Sequence, residues 1–170
     1  MGRGSAGVVL SEPRVVGLIA DTHGLVRPSV RRALAGVDVI LHAGDVGGAD
    51  VLMELAAIAP VHAVGGNVDD LDTPNLPPTL EYRIGGVVIH VSHGHELGAP
   101  TSENVAARYA SADVLVYGHT HRAAVARVGD RLIVNPGAAG AARFDLKPSV
   151  ARLTIAGGRA EVEIVMLDDS

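Results

Sequence analysis

Five short aliphatic runs, at residues 15–20, 39–43, 61–64, 87–92 and 114–117, each lead directly into Asp, Asn or His with glycine alongside. The continuations are Asp21-Thr22-His23-Gly24, Gly44-Asp45, Gly65-Gly66-Asn67, His93-Gly94-His95 and Gly118-His119-Thr120-His121. Several of the runs are nearly continuous in apolar residues, as strands buried on both faces of a sheet must be. Ligands of open α/β sheets collect outside the carboxyl ends of strands, so the five loops are expected to converge on one crevice. Glycine in such loops lets the backbone turn sharply and approach a ligand closely.

Helix-compatible segments separate the first three runs. One starts near Pro28, a residue suited to a first helical turn, and continues through Val30, Ala33 and Leu34. The next covers residues 49–59 and stops at Pro60. This β-α-β-α-β order predicts a parallel arrangement with right-handed crossovers. Beyond residue 79 the pattern changes. Gly85-Gly86, Gly129-Asp130 and Gly157-Gly158 each divide two strand-like runs, as two-residue hairpin turns do. A helix is expected over about residues 101–110. With 48% hydrophobic but only 2% aromatic residues, the core must be built from Val, Leu, Ile and Ala. The expectation is one α/β domain over residues 14–170, mixed in strand direction and antiparallel towards its end. Residues 1–13 read as a flexible tail, and residues 73–79 as a crossing loop.

Composition narrows the function classes. Fourteen Lys and Arg against nineteen Asp and Glu leave a formal charge of −5, so no nucleic-acid partner that relies on a basic surface is expected. Without cysteine there is no disulfide, thiolate nucleophile or sulfur-ligated metal. No run approaches the roughly 18 apolar residues of a membrane span, so no membrane partner is expected. No secretory signal pattern is present either, which makes the cytoplasm the expected compartment. The C-terminal hairpin is expected either to complete a second sheet or to offer a surface for a homo-oligomer.

All eight histidines lie between His23 and His121. Two Asp, one Asn and four His at strand ends form an oxygen-and-imidazole set. Such a set suits divalent Mn, Fe, Zn, Ni or Co, and suits Mg or Ca poorly. Seven side chains exceed what one tetrahedral ion takes, and two ions sharing a carboxylate would account for them.

Asp-x-His, Gly-Asp, Gly-Asn, His-Gly-His and Gly-His-Thr-His, in this order, resemble the calcineurin-like metallophosphoesterase superfamily, and within it the small single-domain prokaryotic phosphodiesterases. Asn135-Pro136-Gly137 extends the likeness. The resemblance implies two packed mixed β-sheets flanked by helices. It also implies a dinuclear site in which Asp21, His23 and His121 hold one ion, Asn67, His93 and His119 the other, and Asp45 bridges them. The metal it implies first is Mn, with Fe, Zn, Ni or Co as alternatives. A hydroxide between the ions, held about 3.5–4 Å apart, would attack a small phosphodiester. The residues expected to carry catalysis beyond ligation are Asn67 and His95. Many superfamily members place a histidine after Gly-Asn where this chain has Val68, so His95 is the candidate proton donor. Gly65 and Ala138 also depart from the basic residue and the serine common in relatives.

The alternatives are a phosphomonoesterase and a non-catalytic scaffold similar to a retromer subunit. Outside the motifs, His42, His62 and His90 read as structural, with orientation of Asp45 as the alternative for His42. Arg27, Arg31 and Arg32 read as a solvated helix face, with phosphate steering as the alternative, and Arg143 as a surface residue, with substrate contact as the alternative. Asp69 or Asp70 is expected to hydrogen-bond a metal-ligating residue.

Overall fold

Strand β1 (Arg14–Ile19) shows how the sequence builds the layers, because its alternate side chains enter two different cores. Val16 and Leu18 point into an aliphatic layer between two sheets, while Ile19 faces helices. The computed structural model describes residues 12–69, 73, 75–143 and 145–168. The expected tail therefore lies outside the described residues except for residues 12 and 13.

The first sheet runs in the order β10-β9-β1-β2-β3. Here β2 is Val39–His42, β3 is Val61–Ala63, β9 is Ser149–Ala156 and β10 is Arg159–Met166. Strands β1, β2 and β3 are parallel, and β9 and β10 add antiparallel neighbours at the β1 edge. Helices α1 (Pro28–Ala33) and α2 (Ala49–Ala56) make the two crossovers. They bury Val30, Val51 and Leu55 with Leu34, Ile19 and Ile40 against the outer face of this sheet.

The second sheet has the order β4-β5-β6-β8-β7. Its strands are β4 (Thr79–Ile84), β5 (Val87–Ser92), β6 (Val114–Val116), β7 (Ala124–Val128) and β8 (Arg131–Asn135). β5, β6 and β8 are parallel, and β4 and β7 flank them in antiparallel pairing. Helix α3 (Ser102–Arg108) covers the outer face through Val105 and Ala106, which pack with Leu115 and Ile133. Its start is set by a capping box, in which Thr101 Oγ1 accepts the Asn104 N–H at 3.1 Å and Asn104 Oδ1 accepts the Thr101 N–H at 2.7 Å.

The inner faces meet through Val16, Leu18, Val39, Leu41, Leu153 and Ile155 from one sheet. Ile89, Val91, Val114, Val116, Leu132 and Val134 come from the other. Truncating a side chain as buried as Leu18 to alanine costs about 2–5 kcal/mol. The architecture is the two mixed sheets flanked by helices that the motifs implied. All three expected hairpins are present, pairing Ile84 with Val87, Val128 with Arg131 and Ala156 with Arg159. The hairpin turns gather at one end of the sandwich. The carboxyl ends of β1, β2, β5 and β6 gather at the other.

Candidate metal centre

Two groups of side chains at that second end have ligand-type atoms within 4.8 Å of one another: Asp21, His23 and His121, and Asp45, His93 and His119. Asp21 and His23 follow β1, and Asp45 follows β2, both in the first sheet. His93 follows β5, and His119 and His121 follow β6, both in the second. Each group therefore draws on both sheets, and the seam between the sheets is the site.

The groups adjoin at Asp45. Its Oδ2 lies 3.2 Å from His93 Nε2 and 3.6 Å from His23 Nε2, so one oxygen faces a ring from each group. Asp21 Oδ1 is 3.5 Å from His121 Nε2 and 3.8 Å from Nε2 of both His23 and His93. Each carboxylate has its other oxygen pinned by a backbone donor. The His119 N–H donates to Asp21 Oδ2 at 3.0 Å, and the Val68 N–H to Asp45 Oδ1 at 3.2 Å. Asp21 Oδ1 is fully buried without a hydrogen-bond partner. A buried carboxylate oxygen left so is costly unless a cation balances it.

The rings are oriented for the same purpose. His93 Nδ1 donates to Ala43 O at 2.8 Å, which leaves the Nε2 lone pair facing the carboxylates. His119 Nδ1 stands 3.3 Å from His93 Nε2. Burial disfavours a charged ring at His93, but the Asp45 hydrogen bond and the charges of Asp21 and Asp45 outweigh it and raise the His93 pKa. Burial likewise opposes ionisation of Asp45, and the His93 contact overcomes it and lowers the Asp45 pKa. The field that favours a proton on His93 is the field that favours a metal cation. His119, desolvated and beside His93, is shifted the opposite way, towards the neutral form that ligates metals.

Backbone strain is concentrated here. Six described non-glycine residues have positive φ, and five of them are Asp21, His23, Asp45, His119 and His121. Asp and His tolerate this region better than most residues, but the geometry still costs about 1–3 kcal/mol each where it is sparsely populated. Two glycines make the close approaches possible. A Cβ on Gly44, at φ 98°, would stand 2.7 Å from the His93 ring, and one on Gly66 would stand 2.1 Å from Asp45 Oδ1.

The loops are held by buried polar residues that touch no candidate ligand atom. Asp69 Oδ1 accepts the N–H groups of Val46 and Gly47 at 2.9 and 3.2 Å, and its Oδ2 that of Gly66 at 2.8 Å. It was expected to bond a metal-ligating residue, but it instead ties together the backbones after β2 and β3. Asp70 lies outside the described residues. His42 accepts the Gly44 N–H through Nδ1 at 3.1 Å and meets Thr22 Oγ1 through Nε2 at 3.0 Å, and Thr22 donates to Val46 O at 2.7 Å. It is therefore the satisfied buried histidine, and the direct hold on Asp45 is made by Val68. Asn135 Nδ2 donates to Thr120 Oγ1 at 3.0 Å and so steadies the loop carrying His119 and His121. Thr22 has no signal of its own in the sequence and is identified by its burial, whereas Asn135 stands in the Asn135-Pro136-Gly137 run that extends the resemblance.

The remaining predicted residues are placed as follows. Asn67 is exposed at the same end, between Gly66, packed on Asp45, and Val68. His95 opens a 3-10 turn, His95–Leu97, with its ring centroid 5.3 Å from His93 and 6.3 Å from His119. His62 and His90 lie away from the site, in contact with Tyr82 and Tyr109 respectively. Arg27 departs from the solvated face expected for it. It is half-buried, and its Nε donates to Gly140 O at 2.9 Å.

An oxygen-and-nitrogen donor set with a buried unpaired carboxylate oxygen fits divalent transition metals. Comparison with known proteins agrees. The calcineurin-like phosphoesterase superfamily domain matches residues 15–158. A probable metallophosphoesterase of Methanothermobacter thermautotrophicus is 34% identical over 160 residues, covering 89% of this chain and 91% of that protein. A phosphodiesterase of Methanocaldococcus jannaschii is 27% identical over 140 residues, covering 72% and 82%. Among solved structures, wild-type Vps29 of Entamoeba histolytica complexed with zinc superposes with a TM-score of 0.72 at 25% identity, covering 91% of this chain and 99% of that one.

Proposed function

Because the chain belongs to the calcineurin-like phosphoesterase superfamily, a metal-dependent family of phosphoesterases, we propose that it is a phosphodiesterase. In this reading two divalent cations, Mn foremost, bind its two side-chain groups, and its substrate is a small phosphodiester. The observation that carries the proposal is the position of Asp45 Oδ2, between His23 Nε2 of one group and His93 Nε2 of the other. A single carboxylate oxygen in that position suits a bridge.

Asp21, His23 and His121 hold one cation. His93, His119 and the side-chain oxygen of Asn67 hold the other, and Asp45 serves both. The cation pair supplies Lewis acidity and a water acidic enough to act as nucleophile near neutral pH. The chain's own contribution is positioning. The Ala43, Val68 and His119 backbone contacts hold His93, Asp45 and Asp21 in their ligating orientations before any substrate arrives. Asn67 ligates without adding a third carboxylate, which keeps the site attractive to an anion. His95 stands at the mouth, partly exposed, and donates a proton to the departing oxygen.

A scaffold role finds support only in the fold shared with Vps29, and the complete carboxylate and imidazole set argues against it. The test is metal analysis combined with turnover. After chelation and resupply with Mn, the expected result is two ions per chain and faster hydrolysis of bis(p-nitrophenyl) phosphate than of p-nitrophenyl phosphate. A folded chain that takes up no cation, or that cleaves only the monoester, would overturn the proposal.

A further inference from the structure

We infer that Tyr109 and Glu96 are positioning residues for the reaction: Tyr109 holds the Glu96 carboxylate, and Glu96 holds the turn that presents His95 to the departing oxygen. The inference rests on the proposed role of His95 and adds how the chain keeps that ring in place.

The turn needs an outside hold. His93, two residues earlier, is secured twice, its ring by Ala43 O and its carbonyl by the Gly118 N–H at 2.9 Å. His95 has no such anchor. Its Nδ1 is buried without a hydrogen-bond partner, and the 35% exposure of its side chain belongs to the rest of the ring. The position of the ring therefore follows the backbone of residues 94–97. There the Leu97 N–H donates to Gly94 O and the Gly98 N–H to His95 O, each at 3.0 Å. The hydrogen bonds of a single 3-10 turn are poorly aligned, so the turn holds its shape weakly by itself.

Glu96 supplies the hold. Its Oε1 accepts the Gly94 N–H at 3.2 Å and lies 3.9 Å from His95 Nδ1, while its Oε2 accepts the Tyr109 hydroxyl. Tyr109 is itself fixed by contacts that do not involve the hydroxyl. Its ring stacks on His90 with centroids 4.1 Å apart, and the Arg108 guanidinium lies 4.9 Å from the ring centre. Arg131, the first residue of β8, donates through Nη1 to Tyr109 O and through Nη2 to Ala106 O, both at 2.9 Å, which ties the end of α3 to the sheet. Burial and the Glu96 carboxylate push the Tyr109 pKa up to about 12, so the hydroxyl keeps the proton it donates. Burial opposes a charge on Glu96, but the hydrogen bonds from Tyr109 and the backbone outweigh it and lower the Glu96 pKa. A hydrogen bond to an ionised carboxylate is about twice as strong as a neutral one. The support thus runs from β8 through the end of α3 to Tyr109, then to Glu96 and the loop after β5.

Tyr109→Phe removes the hydroxyl and keeps the ring, so it tests the brace without taking the end of α3 apart. Methyl phenyl phosphate, whose phenoxide departs poorly, depends on a donated proton more than methyl p-nitrophenyl phosphate does. With Mn supplied, Tyr109→Phe is expected to lower kcat about tenfold on the phenyl ester and about twofold on the nitrophenyl ester, with KM unchanged. Glu96→Gln, which keeps one acceptor oxygen, should lose less than Glu96→Ala. In a His95→Ala background, Tyr109→Phe is expected to cost nothing further. Equal losses on the two esters, or a loss that persists without His95, would overturn the inference. If His95→Ala slows the phenyl ester and Tyr109→Phe does not, the brace fails and the role of His95 stands. If His95→Ala itself spares the phenyl ester, the role of His95 fails and the inference with it. A second measurement needs neither metal nor turnover: deuterium exchange of the Gly94 amide, followed by NMR in metal-free protein. Tyr109→Phe is expected to speed it about tenfold. Unchanged exchange sinks the brace.

Discussion

Asp45 Oδ2 and His93 Nε2 stand 3.2 Å apart although one residue ends a strand of the first sheet and the other a strand of the second. The contact at the heart of the candidate metal centre is therefore also a contact between the two halves of the sandwich. Asp45→Ala and His93→Ala are each expected to lower phosphodiester hydrolysis by more than about 100-fold, beyond the usual effect of disturbing a ligand's support. Bound metal should fall below two ions per chain while the circular dichroism spectrum stays close to that of the parent. Full activity in both variants would contradict the proposed role of the centre.

Gly66→Ala offers a lesion that removes no ligand. The added methyl would meet Asp45 Oδ1 at 2.1 Å and the Asp45 backbone N at 2.4 Å, so Asp45 must move. Crowding of this kind costs about 1–3 kcal/mol of stability. Metal affinity is expected to drop about 10–100-fold, as for a misplaced ligand. Calorimetric titration with Mn measures the affinity, and urea unfolding the stability.

Asp69→Ala should be more damaging to the fold than to the chemistry of any single ligand. It leaves the N–H groups of Val46, Gly47 and Gly66 without their acceptor. At about 1–3 kcal/mol for each buried group left unsatisfied, a loss of at least about 2–3 kcal/mol is expected from the buried Val46 and Gly66 donors alone. Asp69→Asn keeps one acceptor oxygen and is expected to lose less. Equal unfolding midpoints for the two variants would show that the carboxylate is not the clamp.

His42 sets a stability dependence on pH. Burial lowers its pKa from 6.5 to about 4, against the partly offsetting charges of Asp21 and Asp69. The folded chain thus resists a proton that the unfolded chain accepts. The contribution of His42 is fully present above pH 6.5 and is lost as pH falls from 6.5 towards 4, by up to about 1.4 kcal/mol per pH unit. In chelator, urea midpoints of the parent should fall over this interval more steeply than those of His42→Gln. Parallel curves would refute the assignment.

Much of this was legible in the chain. The apolar runs and glycine-paired turns located the strands and all three hairpins, because strand period and turn chemistry are local properties. The seven ligand-type residues were legible by type and by their place at strand ends. Arg27 reads as solvated because a charged side chain at a helix start usually faces water. Asp69 reads as a partner of a ligating residue because nearness in sequence to Asn67 does not tell which buried groups it meets. Here the backbone N–H groups of Val46, Gly47 and Gly66 capture Asp69, and Gly140 O captures Arg27.

The sequence by itself determined which residue types stand at the strand ends, and in what order, because apolar periodicity and side-chain chemistry are written position by position. Only the tertiary structure decided that β1 and β2 belong to one sheet and β5 and β6 to the other, so that each group of ligands is assembled across the seam. Strand partners and the packing of one sheet on another are long-range pairings. They are settled by how the aliphatic inner faces interlock, and no local pattern records that.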